Sequence, residues 1–305
     1  MVSNPDQFVA YPRQGEPRLG VVFPQIRFFG GAEDIRTFAT HIDQAGFHHI
    51  LAYDHVLGAS KEPRPDWTGA YSSDDPFQEV FVLFSFMAAV VPGMEFATGV
   101  LVLPQRQTAL VAKQAATLDL LSGGNLRLGV GVGWNAVEYE ALNEDFTNRG
   151  KRYDEQIALI RELTSQEVID FTGAWHRVDH AGIQPLGIQR PLPIWIGANA
   201  EKPIRRAARI ADGFFVNGTD IERCEASLAI LRDELARQGR DEATYGIETR
   251  VSVVNDDPEQ WKRDFAHWRE ANVSHVTLVT IQTTFAEFEQ HAERFAKAKR
   301  IWDEM

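Results

Sequence analysis

Apolar residues in this chain gather in short unbroken runs, with amphipathic stretches between them. Leu19–Phe23, His48–Tyr53, Glu95–Leu103, Leu126–Val132, Leu192–Gly197, Gly213–Val216, Gly246–Val254 and His275–Ile281 are eight segments of strand length and β-prone composition. Glu33–Ala45 spaces Ile35, Phe38, Ala39 and Ile42 as one helix face. Phe77–Val91, Thr108–Leu121, Val137–Leu142, Tyr153–Leu163, Ile204–Ala211, Cys224–Arg237, Glu259–Ala271 and Phe285–Trp302 carry the same period. Strands apolar along their whole length are buried on both faces, as in a parallel sheet flanked by helices. Eight βα units predict an α/β fold in which the sheet closes into a (β/α)8 TIM barrel, with an open doubly wound sheet as the alternative. No repeat, low-complexity tract or linker divides the chain, so residues 1–305 are expected to be a single domain with an N-terminal extension over 1–17. Two connections are too long for simple βα loops: 58–76, with Pro63, Pro65, Trp67 and Tyr71, and 133–191. Barrel active sites lie at the carboxyl ends of the strands, so an insertion after the second strand is expected to act as a lid.

Charge and cysteine usage narrow the partners. With 31 basic against 43 acidic side chains the formal charge is −12, and no Lys/Arg-rich run supplies a local footprint, so nucleic acid is not expected. Cys224 is the only cysteine, which excludes an internal disulfide and a multi-cysteine metal site and suits a reducing cytoplasm. Residues 1–20 lack the apolar stretch of a secretory signal. The most hydrophobic segment, Val80–Val91, is twelve residues long and closed by Pro92, against about 20 needed to cross a bilayer, so it is expected to be a buried helix and no membrane association is expected.

Candidate chemistry gathers at strand ends. Gly129-Val-Gly131-Val132-Gly133-Trp134-Asn135 closes the fourth strand, where glycines let backbone amides approach a phosphate or simply pack strands tightly. A dinucleotide fold needs a short helix and then a strand bearing an acid, which Ala136–Leu163 does not offer, and no Gly-Lys-Ser/Thr follows for a P-loop. Asn148-Arg149-Gly150-Lys151-Arg152 is an anion clamp or a solvated helix face. Gly197-Ala198-Asn199 ends the fifth strand ahead of a helix with Lys202, Arg205 and Arg206, either a second phosphate loop or an ordinary turn. Asp54-His55 closes the second strand, where an imidazole exchanges a proton near neutral pH and a neighbouring carboxylate orients it. His176 and His180 are four apart, but Gly173 and Gly182 argue against the helix that would align them on a metal. No Gly-x-Ser-x-Gly elbow occurs, and Cys224 falls within an amphipathic helix, which disfavours a hydrolase.

Taken in order, Ala45-Gly-Phe47 with Tyr53-Asp-His55, the stretch from Thr98 to Trp134, Pro193-Ile-Trp-Ile-Gly-Ala198 and Ala211-Asp-Gly-Phe214 resemble the luciferase-like monooxygenase superfamily, specifically its deazaflavin (F420)-dependent oxidoreductase branch. The likeness covers about Leu19 to Asn217 well and the rest loosely. It implies a barrel with a flavin-like ring over the carboxyl ends of the strands. It implies that Asp54 and His55 contact cofactor ring and substrate, His55 exchanging the proton. It implies a non-prolyl cis peptide at Gly99-Val100 behind the ring, and phosphate-side contacts from Gly131, Val132 and Gly133 and from Gly197 and Ala198; Asn135, Arg149, Arg152 and Asn199 are expected, from their own chemistry and position, to join that cofactor site. Related sugar-phosphate dehydrogenases carry a glutamate at the position of Trp134, so their acid chemistry and substrate do not transfer. The expected activity is hydride transfer between coenzyme F420 and a small organic substrate. Trp67, Tyr71, Trp134 and Trp195 would then wall the substrate or belong to the core. The alternatives are an FMN monooxygenase fed by a separate flavin reductase, and a non-catalytic flavin-binding protein. A homodimer is expected by the same resemblance.

Overall fold

The computed structural model describes residues 8, 9, 11, 15–25, 30–281, 283, 285 and 287–305. Eight parallel strand positions close on themselves: β1 (Arg18–Val22), β2 (His49–Ala52), β3 (Glu95–Thr98) with its continuation β4 (Leu101–Val102), β5 (Leu126–Gly131), β8 (Ile194–Ala198), β9 (Gly213–Val216), β10 (Gly246–Ser252) and β11 (His275–Val279). Closure is completed where β5 pairs with both β3 and β4. Around the barrel lie α1 (Ala32–Gln44), α2 (Val80–Val90), α3 (Thr108–Leu121), α4 (Ala136–Ala141), α5 (Arg149–Ser165), α6 (Glu201–Ile210), α7 (Ile221–Arg237), α8 (Pro258–Glu270) and α9 (Phe288–Asp303). The closed (β/α)8 barrel is the expected architecture, and the open sheet is excluded. Residues 1–7, 10 and 12–14 of the N-terminal extension lie outside the described residues, and the last helix starts at Phe288 rather than Phe285.

One antiparallel hairpin, β6 (Ile169–Thr172) with β7 (Arg177–Ala181), is absent from the sequence reading, which left this stretch irregular. Its strands are mostly solvent-exposed and polar, so no apolar run marks them. The hairpin is fastened instead by the Glu155 carboxylate of α5, which accepts hydrogen bonds from the amides of Ala174, Trp175 and His176. His176, in this turn, bonds Glu155 through Nδ1 and faces the Thr108 hydroxyl at 2.7 Å through Nε2.

Alternate strand residues fill the barrel in layers, which sets the floor of the mouth. The amino-terminal layer is a buried ionic network: Arg127 donates to Glu95 and, at 2.5 Å, to Glu248, which also accepts from the Thr277 hydroxyl at 2.6 Å. His275 and Trp195 pack edge to face beside it, and Tyr11 of the extension caps Trp195 with ring centroids 5.1 Å apart. Above this layer Val22, Leu51, Ala97 and Phe215 form a small apolar cluster, against which Tyr53 and Val100 pack. Outward strand residues such as Ile50, Phe96, Leu128 and Val251 join the helices in the main core. No helix among the described residues is long and apolar enough to cross a membrane.

Candidate active site

The carboxyl ends of β2, β4, β5 and β8 assemble one constellation. Gly99-Val100 separates β3 from β4, its peptide bond is cis as the resemblance implies, and the Val100 side chain packs toward Gly131 and Gly197 and against the small apolar cluster inside the barrel. A Cβ on Gly131 would lie 2.5 Å from Val100 Cγ2, and one on Gly197 would lie 2.8 Å from Val100 Cγ1. Both glycines therefore make room for Val100, so the packing reading of the glycine run accounts for them. Their proximity also places the ends of β5 and β8 side by side, as the parallel register from Leu128↔Ile194 to Val130↔Ile196 requires.

His55 stands just past β2, and its orientation comes from a residue the sequence reading missed. Glu138 is fully buried in α4. Its Oε2 lies 3.1 Å from His55 Nδ1 and accepts from Gln105 Nε2, while its Oε1 accepts from the amides of Val56 at 2.5 Å and Leu57 at 3.3 Å. Burial pushes the Glu138 carboxyl upward, but the bonds from His55, the Val56 amide and Gln105 together outweigh it and hold the group below its ordinary range. An ionised carboxylate only accepts, so Nδ1 carries a hydrogen and Nε2 of the neutral ring is left to accept a proton. Asn135 serves this arrangement from behind: its Oδ1 accepts from the amides of Val137 and Glu138, capping α4. Asn135-x-x-Glu138 looks like a capping box in sequence, but the Glu138 side chain turns to the loop after β2 instead of back to the cap. Nothing local marks Glu138, because its partner His55 lies 83 positions away.

Aromatic rings surround the imidazole. Tyr71, Phe77 and Trp134 have ring centroids 5.3, 5.0 and 5.6 Å from His55, and Trp67 lies 5.7 Å from Trp134. Trp67 and Tyr71 come from the 58–76 insertion, which thus packs beside His55 and over Trp134. Trp134 remains 40% exposed, consistent with an apolar wall at an open mouth.

Three expectations need correcting. Trp195 is completely buried at the amino-terminal end of the barrel, where a Cβ on Gly213 or Gly246 would strike its ring, so it is core and not a substrate wall. Asp54 is buried and engaged within the protein: it accepts from Arg106 Nη2 at 2.7 Å and from the Val102 amide at 3.0 Å, pinning the strand beyond the bulge. Burial pushes its carboxyl up against the opposing pull of Arg106 and that amide. Arg152 is spent on Glu144 and the Pro104 carbonyl and is not a free anion clamp.

Of the remaining residues of the expected tail site, Arg149 opens α5 and Gly197, Ala198 and Asn199 lead into α6. Asn148 Oδ1 and Arg149 Nε are buried without partners, the Arg149 guanidinium lies 3.6 Å from the centre of the Phe146 ring, and Asn199 is exposed. The first turn of α6 has no side-chain cap at Ala200 and holds Pro203, so the amides of Glu201 and Lys202 are the ones left open there. The Arg206 guanidinium of α6 reaches across to α5, where Nη2 comes within 4.0 Å of the Cβ position of Gly150 and Nε pairs with Asp154 at 2.8 Å. Unfilled amides beside an orphaned guanidinium N–H suit an anionic tail, and the aromatic mouth suits a planar ring.

A (β/α)8 barrel with a carboxylate-oriented imidazole at its mouth defines the class. The family model of luciferase-like monooxygenases matches residues 11–304, and the chain belongs to that family of enzymes. An uncharacterized protein of Mycobacterium tuberculosis is 38% identical over 223 residues, covering 68% of this chain and 77% of that one. The F420-dependent hydroxymycolic acid dehydrogenase of the same species is 29% identical over 262 residues, 85% of this chain and 68% of the relative. The FMNH2-dependent dimethylsulfone monooxygenase of Pseudomonas putida is 28% identical over 233 residues, 75% of this chain and 60% of the relative. Among solved structures, a long-chain alkane monooxygenase superposes over 94% of this chain and 92% of its own with a TM-score of 0.73 at 14% identity, a likeness of fold alone. The relatives thus include both F420-dependent and FMN-dependent proteins.

Proposed function

We propose that the protein is an oxidoreductase that transfers hydride between coenzyme F420 and a small organic substrate. The observation that carries this reading is His55, held by Glu138 at 3.1 Å and ringed by aromatic side chains at the carboxyl end of the barrel. The cofactor would supply the hydride chemistry at C5 of its deazaflavin ring. His55 Nε2 exchanges the balancing proton with the substrate, Glu138 fixes its tautomer, and Val100 forms the floor. The head of α6 with Gly197, Ala198 and Asn199, Arg149 beside it, and the strand end at Gly131, Val132 and Gly133 would hold the anionic tail. Trp67, Tyr71 and Trp134 exclude water from the reacting atoms. The broader match to the F420-dependent relative favours this cofactor. Self-association through α2 and α3, which leave Val82, Leu110 and Leu121 exposed, belongs to the same proposal.

A second reading, an FMN monooxygenase served by a separate flavin reductase, is supported by the dimethylsulfone monooxygenase relatives. Titration with reduced F420 and with reduced FMN, followed by oxygen uptake, separates the two: F420 binding without oxygen consumption is expected. In the F420 assay His55→Ala keeps cofactor affinity within about twofold and lowers turnover by about 10²–10⁴, the range for loss of a general acid–base group. Undiminished turnover removes His55 from the chemistry.

A further inference from the structure

Arg250 is an inward-facing residue of β10, one layer above Glu248, and the sequence reading passed over it as part of a strand. It is 9% exposed. Its Nη1 donates to the Asn217 side-chain oxygen at 3.0 Å, and its guanidinium lies 5.3 Å from the centre of the Tyr53 ring. Among the described residues no carboxylate pairs with it. Arg127, deeper in the same barrel, is neutralised by Glu95 and Glu248, Arg106 by Asp54 and Glu79, and Arg161 by Asp212. A guanidinium withdrawn from bulk water without a counter-charge is costly unless something anionic meets it.

What Arg250 faces is the mouth. Tyr53 lies 6.4 Å from Tyr71 and Tyr71 lies 5.3 Å from His55, ring to ring, so two tyrosine rings link the guanidinium to the imidazole along one wall of the mouth. The Tyr71 hydroxyl is pushed up by burial and by Tyr53, and Arg250 opposes that rise, which places the cation in the same enclosure. None of the Arg250 nitrogens is a buried, unpartnered atom, so the donors not spent on Asn217 remain reachable by a probe the size of water.

We propose that Arg250 is the specificity-determining residue of the mouth and selects a substrate bearing a carboxylate or an equivalent planar oxyanion, holding that group so that a neighbouring carbon is presented on the His55 side. The assignment rests on the mouth being the substrate site. The fork of Arg matches two coplanar oxygens, and Asn217 and Tyr53 fix its plane before the ligand arrives.

The test is calorimetric titration of the full-length protein, with and without F420, using benzoate and its neutral isostere benzamide, in wild type, Arg250→Gln and Arg250→Lys. Wild type is expected to bind benzoate at least tenfold more tightly than benzamide, Gln to abolish that preference, and Lys to restore part of it. A structural role predicts a fall in melting temperature for Gln, whereas removal of an unpaired charge leaves it unchanged or raised. Equal affinity for the two probes in wild type, no binding of either, or an undiminished benzoate preference in Arg250→Gln overturns the proposal. F420 titration of the same samples reports separately on the cofactor. If F420 fails to bind while benzoate is still preferred, the cofactor reading falls and this one stands. If Arg250→Gln loses F420 but keeps benzoate, Arg250 is a cofactor ligand and the proposal is wrong.

Discussion

Glu138→Gln isolates the device on which the site depends. Four donors converge on this carboxylate, two on each oxygen: the amides of Val56 and Leu57 on Oε1, His55 Nδ1 and Gln105 Nε2 on Oε2. Glutamine retains one acceptor oxygen. With that oxygen toward the two amides, its NH2 group faces His55 and Gln105. His55 can respond by moving its proton to Nε2 and accepting at Nδ1, which removes the free acceptor from the side that faces the mouth. Gln105 can answer only by turning its amide over to offer Oε1, which leaves its own NH2 buried without a partner. A stranded buried donor costs about 1–3 kcal/mol, and the two amides lose the charge assistance of their bonds, so a total of about 2–4 kcal/mol is expected at pH 7. Because the folded-state pKa of Glu138 is depressed, its stabilisation is complete above the unfolded value of about 4.3 and disappears as pH falls through the lower folded value. Urea unfolding of both proteins at pH 7 and near pH 3.5 should show a gap that narrows in acid. Turnover at pH 7 should fall with cofactor affinity retained, and nitrogen-15 shifts of His55 should report the exchange of tautomers. Equal stability at pH 7 together with an unchanged His55 tautomer would refute the reasoning.

Other expectations follow from the barrel interior. Gly131→Ala sets a methyl 2.5 Å from Val100 Cγ2, a clash worth about 1–3 kcal/mol, and Val100→Ala in the same chain should restore much of the loss; thermal melts of the two single variants and the double variant measure this coupling, and simple additivity would show that the valine is not the obstacle. Acid stability should reveal the buried network. Burial and the charge of Arg127 hold His275 well below the ordinary histidine range, so the unfolded chain takes up its proton first and stability declines as pH falls below about 6.5. Glu95 and Glu248, whose burial is outweighed chiefly by Arg127, lie below the ordinary carboxylate range, and their contribution is lost below about pH 4.3. His275→Gln should flatten the first part of the curve and leave the second; an unaltered slope between pH 6.5 and 5 would remove His275 from the account.

The order of elements was legible in the chain because each barrel strand is apolar on both faces and each helix on one, patterns that survive without knowledge of neighbours. α3 has its expected ends, Thr108 and Leu121, for that reason. His55 was visible as a titratable group at a strand end. The β6–β7 hairpin was not, because polar exposed strands held by a distant carboxylate carry no periodic mark. The glycines of β5 and β8 were visible as a signal with two meanings, and only the position of Val100 showed that Gly131 and Gly197 make room for it at the bulge. Sequence by itself determined the eightfold βα rhythm, the family likeness and the location of chemistry at strand ends, since these depend on local period and spacing. Tertiary structure alone decided that Glu138 meets His55 across 83 positions, that Asp54 faces Arg106 and that Arg250 stands beside Tyr53 with no carboxylate partner among the described residues, because ion pairing and burial are properties of residues far apart in the chain.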